Sequence, residues 1–321
     1  MERCRRMRRA AVLAALTLAG LSPACTDPAR SGTIRALSYN VAGLPEGISG
    51  SQPSVNIPLI SPKLNAYDLV LVQEDWVDFE PPVEGFDFHH DDLVAAVDHP
   101  YRSLPAAPAY GRDPRRPSAA IADGLNVLSR YRLSDTAHIM WDGCFGEIDT
   151  SDGGAADCLA LKGFSYTRAT LAEGPADAGR VEVDVYDVHG EAGGTAEDQR
   201  LQAADYRQLA AFIATYSAGR AVILGGDTNL HTDGRHPDSG GPADREIWRS
   251  FLTATGLADV CDTVACGPDG DVIDKFALRS SPALQLTARS HHFEDETFRR
   301  PDGTPLSDHR PLAAVIDWAV V

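Results

Sequence analysis

Polar side chains recur at one kind of place in this sequence, directly after a short apolar run. Asn40 follows A-L-S-Y, Glu74 follows L-V-L-V-Q, and His189 follows V-Y-D-V. The run A-V-I-L-G-G leads into Asp227 and Asn229. Each case alone is typical of a turn, but the ends of neighbouring strands meet at one rim, where ligand sites form. We therefore expect these five side chains to lie close together.

A titratable pair precedes the last apolar run. The stretch L-S-D-H-R-P-L-A-A-V-I places Asp308 beside His309 at the entrance of a segment that resembles a buried strand. Such groups are costly to bury unless a partner compensates them. We expect both to be buried and compensated, with a self-contained turn as the alternative.

These residue types suit hydrolysis assisted by a hard cation. Glu74, Asp308 and the Asn40 amide offer the oxygen ligands that Mg²⁺ prefers, and Mn²⁺ or Ca²⁺ could take the same set. His189 and His309 titrate near neutral pH, so one can accept a proton from water while the other donates to a leaving group. A phosphate ester is the natural electrophile, because its transition state spreads negative charge over oxygens.

The elements that must position these residues are mostly strands. Alternating or β-branched runs predict strands at 33–41, 68–74, 124–130, 164–171, 180–189, 221–227, 271–278 and 311–320. The clearest helix begins at Thr195, with Asp198 as its capping-box partner, and runs to about Ser217; a second is predicted over 242–255. No linker separates two cores, so the sequence predicts one domain, an α/β (α+β) sandwich.

The amino-terminal residues have the pattern of an export signal. M-E-R-C-R-R-M-R-R is basic, and residues 10–21 form an apolar run too short to span a bilayer. We expect 1–24 to be removed, 25–32 to be a short linker and 33–321 to be the single catalytic domain. The small residues before Cys25 suit simple secretion, while Cys25 itself suits lipidation and peripheral membrane contact, although a lipobox normally has Leu where Ser22 stands. An exported monomer, anchored or secreted, is expected.

Charge and composition limit the function classes. The chain is 43% hydrophobic and 23% charged with a net charge of −17, and losing 1–24 removes a net +4 to leave about −21. Proteins hold long nucleic acids through Lys and Arg that neutralise phosphates. The acidity therefore argues against gripping DNA by electrostatics alone, while a nuclease with a local basic groove stays open.

Four cysteines remain after the export signal, Cys144, Cys158, Cys261 and Cys266. An even number in an exported chain favours disulfides. Proximity in sequence favours pairing Cys144 with Cys158 and Cys261 with Cys266, although four cysteines allow three connectivities. A zinc site is the weaker alternative, because no C-x-x-C or H-E-x-x-H spacing is present.

The polar motifs, taken in order, resemble those of the endonuclease/exonuclease/phosphatase superfamily, which includes DNase-I-like nucleases, inositol polyphosphate phosphatases and sphingomyelinases. They comprise S-Y-N (Asn40), Q-E (Glu74), the strand-end His189, G-D-x-N (Asp227, Asn229), I-D (Asp274) and S-D-H (Asp308, His309). G-D-x-N or S-D-H alone is unspecific, but the series covers nearly all of the mature chain. The resemblance implies a DNase-I-like four-layer sandwich, two packed and mostly antiparallel β-sheets flanked by helices.

The resemblance also implies a metal site and an oriented histidine. Glu74 and Asn40 would hold Mg²⁺, with Asp308 close enough to ligate it directly or through water. Asp274 would pair with His309 and fix its tautomer.

The remaining roles concern the reacting atoms. His309 and Asp227 would orient or deprotonate the attacking water, Asn229 would hold a phosphate oxygen, and His189 would stabilise or protonate the departing oxygen. The general base differs among family members, so the resemblance fixes the set more firmly than the roles.

Two further segments are similar to the sphingomyelinase branch. G-L-N-V-L-S-R-Y (124–131) is similar to its G-L-A-x-x-S-R/K-Y, and the stretch that contains Lys162, A-L-K-G-F, is similar to its N-K-G-F/V. Lys162 would frame the substrate side of the site. The charged stretch after Ser290 departs from the exposed aromatic hairpin of bacterial sphingomyelinases that attack membranes.

The sequence thus predicts an exported Mg²⁺-dependent phosphodiesterase of the sphingomyelinase or phospholipase C type. One alternative is an extracellular nuclease, in which Arg102, Arg112, Arg115 and Arg116 would grip a strand. An inositol-phosphate type of phosphatase is another, and a binding module that has lost the chemistry is the non-enzymatic reading. The intact motif series argues against the last.

Overall fold

Strands of alternating polarity build two stacked sheets in a computed structural model, which describes residues 30–79, 84–105, 115–173, 179–232, 241–267 and 273–321. The predicted export signal, Cys25 and Arg112 lie outside these ranges. The first strand begins at Ser31, two residues inside the expected linker. The domain boundary predicted at residue 33 is therefore slightly late.

The described residues contain twelve strands. They are β1 (Ser31–Asn40), β2 (Leu69–Gln73), β3 (Tyr101–Arg102), β4 (Asn126–Ser129), β5 (Arg132–Met140), β6 (Gly163–Glu173), β7 (Arg180–His189), β8 (Val222–Asp227), β9 (Ala258–Asp259), β10 (Asp274–Arg279), β11 (Leu284–Phe293) and β12 (Leu312–Val320). The first sheet has the order β11-β12-β1-β2-β4-β3 and the second β5-β6-β7-β8-β10-β9. Each sheet has one parallel pair, β1–β2 or β7–β8, among antiparallel neighbours. The prediction of two mostly antiparallel sheets is confirmed.

Helices cover the outer faces of both sheets. The α-helices are α1 (Pro53–Ile60), α2 (His90–Val94), α3 (Ala196–Tyr216), α4 (Asp244–Thr255) and α5 (Val260–Val264). Helix α3 begins with the predicted capping box, in which Thr195 and Asp198 exchange side-chain to backbone hydrogen bonds. Helix α4 begins two residues later than expected.

Apolar side chains pack in three layers that follow the two-residue period of the strands. Ile34 of β1 and Val185 of β7 meet in the layer between the sheets. Tyr39 packs outward with α1, and Tyr186 packs outward with α3 and α4. Two sheets between two helical layers make the predicted four-layer sandwich, and each fully buried large apolar side chain contributes about 1.5–3 kcal/mol.

The same period decides where the polar strand ends point. In β1, Ile34 and Ala36 face the other sheet, so Asn40 faces it too. The register places Asn40 beside Gln73 in the first sheet and His189 beside Asp227 in the second. Because both parallel pairs end at the same edge, their last residues meet in the cleft between the sheets.

Several elements escaped the sequence analysis. Strand β5 (R-L-S-D-T-A-H-I-M) is partly exposed along its length and carries little apolar alternation. Strand β11 (L-Q-L-T-A-R-S-H-H-F) was also missed, and so was α1, which contains Pro58. The remaining two helices, α2 and α5, have five residues each, too few for a periodic pattern.

Two disulfides join Cys144 to Cys158 and Cys261 to Cys266, so the predicted pairing is confirmed. Within the described ranges, none of the helices has the length and apolar character needed to cross a membrane.

Candidate active site

Four of the predicted site residues are buried in the cleft at the carboxyl ends of the parallel strand pairs. Asn40, His189, Asp227 and Asp274 each have an exposed fraction of at most 2%. Asn40 Nδ2 donates to Asp227 Oδ2 at 3.0 Å and to Glu74 Oε1 at 2.9 Å. The first sheet supplies Asn40 and Glu74, and the second supplies the other three, so stacking the sheets assembles the site.

Glu74 reaches the cleft because the chain turns sharply after β2. Its φ is 59°, in the left-handed region that non-glycine residues rarely adopt. The Gly43 amide donates to the Glu74 carbonyl oxygen at 3.2 Å, and a Cβ on Gly43 would overlap that oxygen. Because Gly43 has no side chain, its amide can approach the Glu74 carbonyl, and this bond fixes the backbone that directs the Glu74 carboxylate into the cleft.

His309 lies between two carboxylates. Its Nδ1 is 3.0 Å from Asp274 Oδ2, and its Nε2 is 3.6 Å from Asp227 Oδ2. Burial by itself lowers the pKa of His309, but the nearby carboxylates of Asp274 and Asp227 outweigh it and raise the pKa well above its ordinary value. The Asp274–His309 contact is the pair that the family resemblance implied.

His189 has the opposite electrostatics. Its Nε2 lies 3.6 Å from Asp227 Oδ2 and 4.0 Å from Glu74 Oε1. Burial lowers its pKa well below the ordinary value, and the positive charges of Lys162 and His309 lower it further. The pKa values of the two histidines are thus shifted in opposite directions, and both rings have Nε2 3.6 Å from the same carboxylate oxygen of Asp227.

The carboxylates of the site are poorly compensated by the protein alone. Burial raises the pKa of Glu74 and of Asp227 above their ordinary values, despite the hydrogen bonds from Asn40. Asp227, Asp274 and His309 also offer ligand atoms that all lie within 4.8 Å of one another. Such a dense set of hard oxygen atoms fits a divalent cation, which would favour the ionised form of Glu74 and of Asp227.

Two of the three expected metal ligands are placed differently from the prediction. Asp308 is exposed rather than buried, and its Oδ1 accepts from Ser307 Oγ at 3.2 Å. The Asn40 amide oxygen accepts the backbone N–H of Ala42 at 3.0 Å, so its nitrogen faces the two carboxylates. Asp308 points outward because the turn is pinned by Ser307, whose hydroxyl donates to the Asn40 carbonyl at 2.7 Å. Of the three expected ligands, Glu74 is the one that directs an oxygen into the cleft as predicted.

Asn229 lies at the site, and its backbone and side-chain nitrogens both donate hydrogen bonds within the protein. Its φ is 51°, its backbone N–H donates to Asp227 Oδ1 at 3.1 Å, and its Nδ2 donates to the Gly190 carbonyl at 3.1 Å. These bonds connect the loops that follow β7 and β8. The amide nitrogen carries two hydrogens, and the bond to the Gly190 carbonyl uses one of them.

Lys162 is largely but not completely buried and forms an ion pair with Asp157. Burial opposes its charge, yet Asp157, with Glu74 and Asp227, raises its pKa. The side chain is 12% exposed, so it frames the site rather than projecting from its surface. Behind it, burial and Asp157 raise the pKa of Glu191 to about 9.

Sequence reasoning assigned no role to several residues that support the site. Ser307 pins the turn, the Trp141 indole N–H donates to the His189 carbonyl at 2.9 Å, and the Trp76 ring lies 6.2 Å from the His189 ring. Gln73 and Asp187 bond each other behind the site at 2.6 Å. Sequence could have indicated Gln73 and Asp187 only through the two-residue period of their strands, which directs both side chains toward the other sheet.

Two of the four arginines expected to grip a nucleic acid strand, Arg102 and Arg116, bond to backbone carbonyl oxygens of the protein itself. Arg116 is buried and donates to the carbonyl oxygens of Trp141 and Gly143. Arg102 donates to the Val97 carbonyl at 3.0 Å. Both guanidinium groups organise loops, because buried carbonyls need donors.

The zinc alternative fails. Cys261, Cys266 and His291 lie close together, but both sulfurs are joined in a disulfide. A disulfide sulfur is not the thiolate that zinc requires.

Solved structures share this fold. The chain matches a bacterial endonuclease/exonuclease/phosphatase from Beutenbergia cavernae with a TM-score of 0.53 and 19% identity over 90% of this chain and 72% of that one. Sphingomyelinase C from Streptomyces griseocarneus matches with a TM-score of 0.56 and 18% identity, covering 88% and 99% of the two chains. Beta toxin from Staphylococcus aureus, solved with bound magnesium ions, matches with a TM-score of 0.56 and 15% identity over 88% and 99%. These three structures share the fold of this chain, which is the fold that the ordered motifs implied.

Sequence comparison also finds curated relatives of this chain. The chain is 31% identical over 300 residues to proteins named sphingomyelinase from Mycobacterium tuberculosis and Mycobacterium bovis, a match that covers 88% of this chain. It spans about half, 52%, of the length of those relatives. No protein-family model matches the chain. Over the matched region, the sequence comparison agrees with the likeness to sphingomyelinases that the ordered motifs implied.

Proposed function

We propose that this protein is an exported, divalent-cation-dependent phosphodiesterase that cleaves a phospholipid headgroup in the manner of a sphingomyelinase. The observation that carries the proposal is the meeting of Asn40, Glu74, His189, Asp227, Asp274 and His309 at one rim. A hard-oxygen cluster with an acid–base pair is the equipment that phosphoester hydrolysis needs.

The cation would be held by Glu74, with the exposed carboxylate of Asp308 at the same edge. Burial raises the pKa of Glu74, and the negative charge of Asp308 raises it further. The two carboxylates therefore interact electrostatically. When bound, Mg²⁺ supplies charge stabilisation to the phosphoryl oxygens. We propose Mg²⁺ because the ligands are oxygens and few come from protein, with Mn²⁺ and Ca²⁺ as the other candidates.

The protein's own groups position the proton transfers. Asp274 accepts from His309 Nδ1, which leaves Nε2 directed to the cleft toward Asp227. His189 presents Nε2 to Asp227 from the opposite side. A phosphodiester that enters between the histidines would meet one on the side of the attacking water and the other on the side of the leaving oxygen. The amide of Asn229 would hold a non-bridging oxygen.

A substrate panel tests this proposal. The purified full chain with Mg²⁺ is assayed on sphingomyelin vesicles, plasmid DNA and inositol phosphates, alongside Glu74→Gln and the exposed control Glu84→Gln. We expect hydrolysis of sphingomyelin that Glu84→Gln retains and Glu74→Gln loses. Nicking of DNA with intact sphingomyelin would make the protein a nuclease, and release of inorganic phosphate from inositol phosphates would make it a phosphatase.

Export and anchoring form a separate part of the proposal. The basic and apolar start of the sequence supports removal of residues 1–24, followed by secretion or by lipid attachment at Cys25. Intact-mass measurement of the processed chain would distinguish the two, since a lipidated Cys25 adds acyl mass that Cys25→Ser lacks. Size-exclusion chromatography with light scattering would check the proposed monomer.

A further inference from the structure

Gln73 and Asp187 join the two sheets directly behind the site. Gln73 ends β2 and precedes Glu74, while Asp187 lies in β7 two residues before His189. Both side chains are completely buried between the sheets, and Gln73 Nε2 lies 2.6 Å from Asp187 Oδ1. The pair is therefore a direct polar connection between the strand that carries Glu74 and the strand that carries His189.

The hydrogen bonding of this pair is incomplete if Asp187 is ionised. Gln73 Oε1 and Asp187 Oδ2 are buried acceptors without a hydrogen-bond partner among the described residues. A buried polar atom without a hydrogen-bond partner is costly. The 2.6 Å separation is also shorter than the roughly 2.7–3.2 Å of an N–H···O bond and falls within the roughly 2.5–3.0 Å of an O–H···O bond.

One added proton accounts for the short separation. Rotating the Gln73 amide by half a turn exchanges its oxygen and nitrogen without moving any other group. The carbonyl oxygen then faces Asp187 at the short distance, and an O–H on Asp187 becomes the donor. The Ser38 hydroxyl, 3.4 Å from the same amide atom, would also be able to donate to that oxygen.

The surroundings of Asp187 disfavour a negative charge. Burial is the main cause that raises its pKa well above the ordinary value, and the carboxylate of Asp123 raises it further. Asp123 is itself paired with His138 of β5 at 2.5 Å. The Gln73 amide and the backbone amides of Val72 and Val188 favour the charged form, but they are outweighed.

The strands beside Asp187 bring no positive charge to it. Ser165 of β6 and Gly225 of β8 are its register partners, and neither carries a charge. An ionised Asp187 would thus be a buried carboxylate without a cationic partner in these strands, which proteins rarely tolerate.

We propose that Asp187 is held as a neutral carboxylic acid that donates its proton to the side-chain carbonyl of Gln73, and that this acid–amide pair positions Glu74 against His189. Asp187 is a positioning residue, since it contacts neither the substrate nor the reacting atoms. Its catalytic consequence rests on the proposed function, whereas its protonation state does not.

The test compares Asp187→Asn with Asp187→Ala. An Asn of the same shape can form an amide–amide pair with Gln73 without a proton, so it should keep kcat within about twofold. Alanine leaves the Gln73 amide unpaired and loosens the connection between β2 and β7. Misplacement of reacting groups by about 1 Å costs about 100-fold, so kcat should fall about 10- to 100-fold with KM little changed.

Stability against pH tests the proton itself. A carboxyl whose folded pKa is raised stabilises the fold fully only below its unfolded pKa of about 4, and that contribution is lost as pH rises toward the folded pKa. Asp187→Asn has no such loss, so its melting temperature should match the parent near pH 4 and exceed it increasingly toward pH 8. The ¹³C shift of the Asp187 carboxyl carbon in the parent should remain that of a protonated acid at pH 7.

An ionised Asp187 would give the reverse pattern. Asp187→Asn would then melt below the parent at pH 7, and the carboxyl carbon would show the ionised shift. Either result overturns the proposal. The melting temperature and the ¹³C shift need no substrate, so they test the protonation state of Asp187 even if the proposed activity is wrong. A normal kcat in Asp187→Ala would separately overturn the positioning role.

Discussion

The Asp274–His309 contact gives the sharpest test of how the site orients its histidine. Replacing Asp274 by Asn keeps the shape but removes the negative charge that faces His309 Nδ1 at 3.0 Å. The amide can also present its N–H to the ring, which would select the tautomer that carries the proton on Nε2. The variant therefore changes both the charge and the orientation of His309, and it leaves the Glu74 carboxylate untouched.

The size of the effect follows from this geometry. A hydrogen bond to a charged group contributes about 1.5–3 kcal/mol. With a tenfold change in rate for each 1.36 kcal/mol, losing it in the transition state lowers kcat by about 10- to 150-fold. A wrong tautomer adds to this, and in an analogous Asp–His pair the total reaches about 10⁴-fold. We expect a fall in kcat of at least 100-fold with a small change in KM.

The assay measures kcat, KM and Mn²⁺ affinity for the parent, for Asp274→Asn and for the exposed control Asp302→Asn. Asp302 lies in a surface turn, where its Oδ1 accepts from the Thr304 amide. The control should behave as the parent. Mn²⁺ binding, measured by calorimetry, should change less than threefold in Asp274→Asn.

Combining Asp274→Asn with His309→Ala completes the test. Since the two residues act as one unit, the double variant should be about as slow as His309→Ala alone. Multiplicative losses would refute the reasoning, because they would show that Asp274 acts independently of His309. A tenfold loss of Mn²⁺ affinity in Asp274→Asn alone would instead place this carboxylate among the metal ligands.

Three other perturbations follow from the structure. Gly43→Ala should lower kcat about 10-fold or more and reduce the melting temperature, because the added methyl overlaps the Glu74 carbonyl oxygen; unchanged activity would show that the Glu74 backbone is not critical. Replacing Cys144 and Cys158 by Ser should destabilise the fold by about 3 kcal/mol, measured by urea unfolding, for a sequence separation of 14; a change below 1 kcal/mol would contradict this. In EDTA, His309→Gln should melt below the parent protein, and the difference should be largest below the unfolded histidine pKa of about 6.5. The difference should fade as pH rises through the raised pKa of His309 in the folded protein. A difference in melting temperature that does not depend on pH would contradict a charged His309.

The sequence predicted the strands that carry the site better than the elements around them. Strand β7 was predicted with its observed bounds, and its alternation also fixes the inward face on which Asp187 and His189 lie. Polarity was informative there because one face of each strand packs against the other sheet. Strand β5 was missed because partial exposure along its length removes the contrast between its two faces.

Side-chain orientation at the site could not be predicted from spacing. The motif S-D-H places Asp308 beside His309 in sequence, yet the bond from Ser307 to the Asn40 carbonyl turns Asp308 outward. The amide of Asn40 likewise faces two carboxylates because its oxygen accepts from a neighbouring backbone amide. Both outcomes depend on tertiary hydrogen bonds between segments that are distant in sequence. Arg116 illustrates the same point, since a charge that suggested ligand binding is used to satisfy buried carbonyls.

Hydrolysis of sphingomyelin in H₂¹⁸O, followed by mass spectrometry of both products, tests the central claim most directly. In the proposed mechanism, His189 and His309, which both face Asp227, serve the attacking water and the leaving oxygen at phosphorus, so water should attack phosphorus. Attack at phosphorus puts one ¹⁸O atom in the released phosphomonoester and none in the lipid alcohol, and Glu74→Gln should give no product. Label in the lipid alcohol, or an active Glu74→Gln, would contradict it.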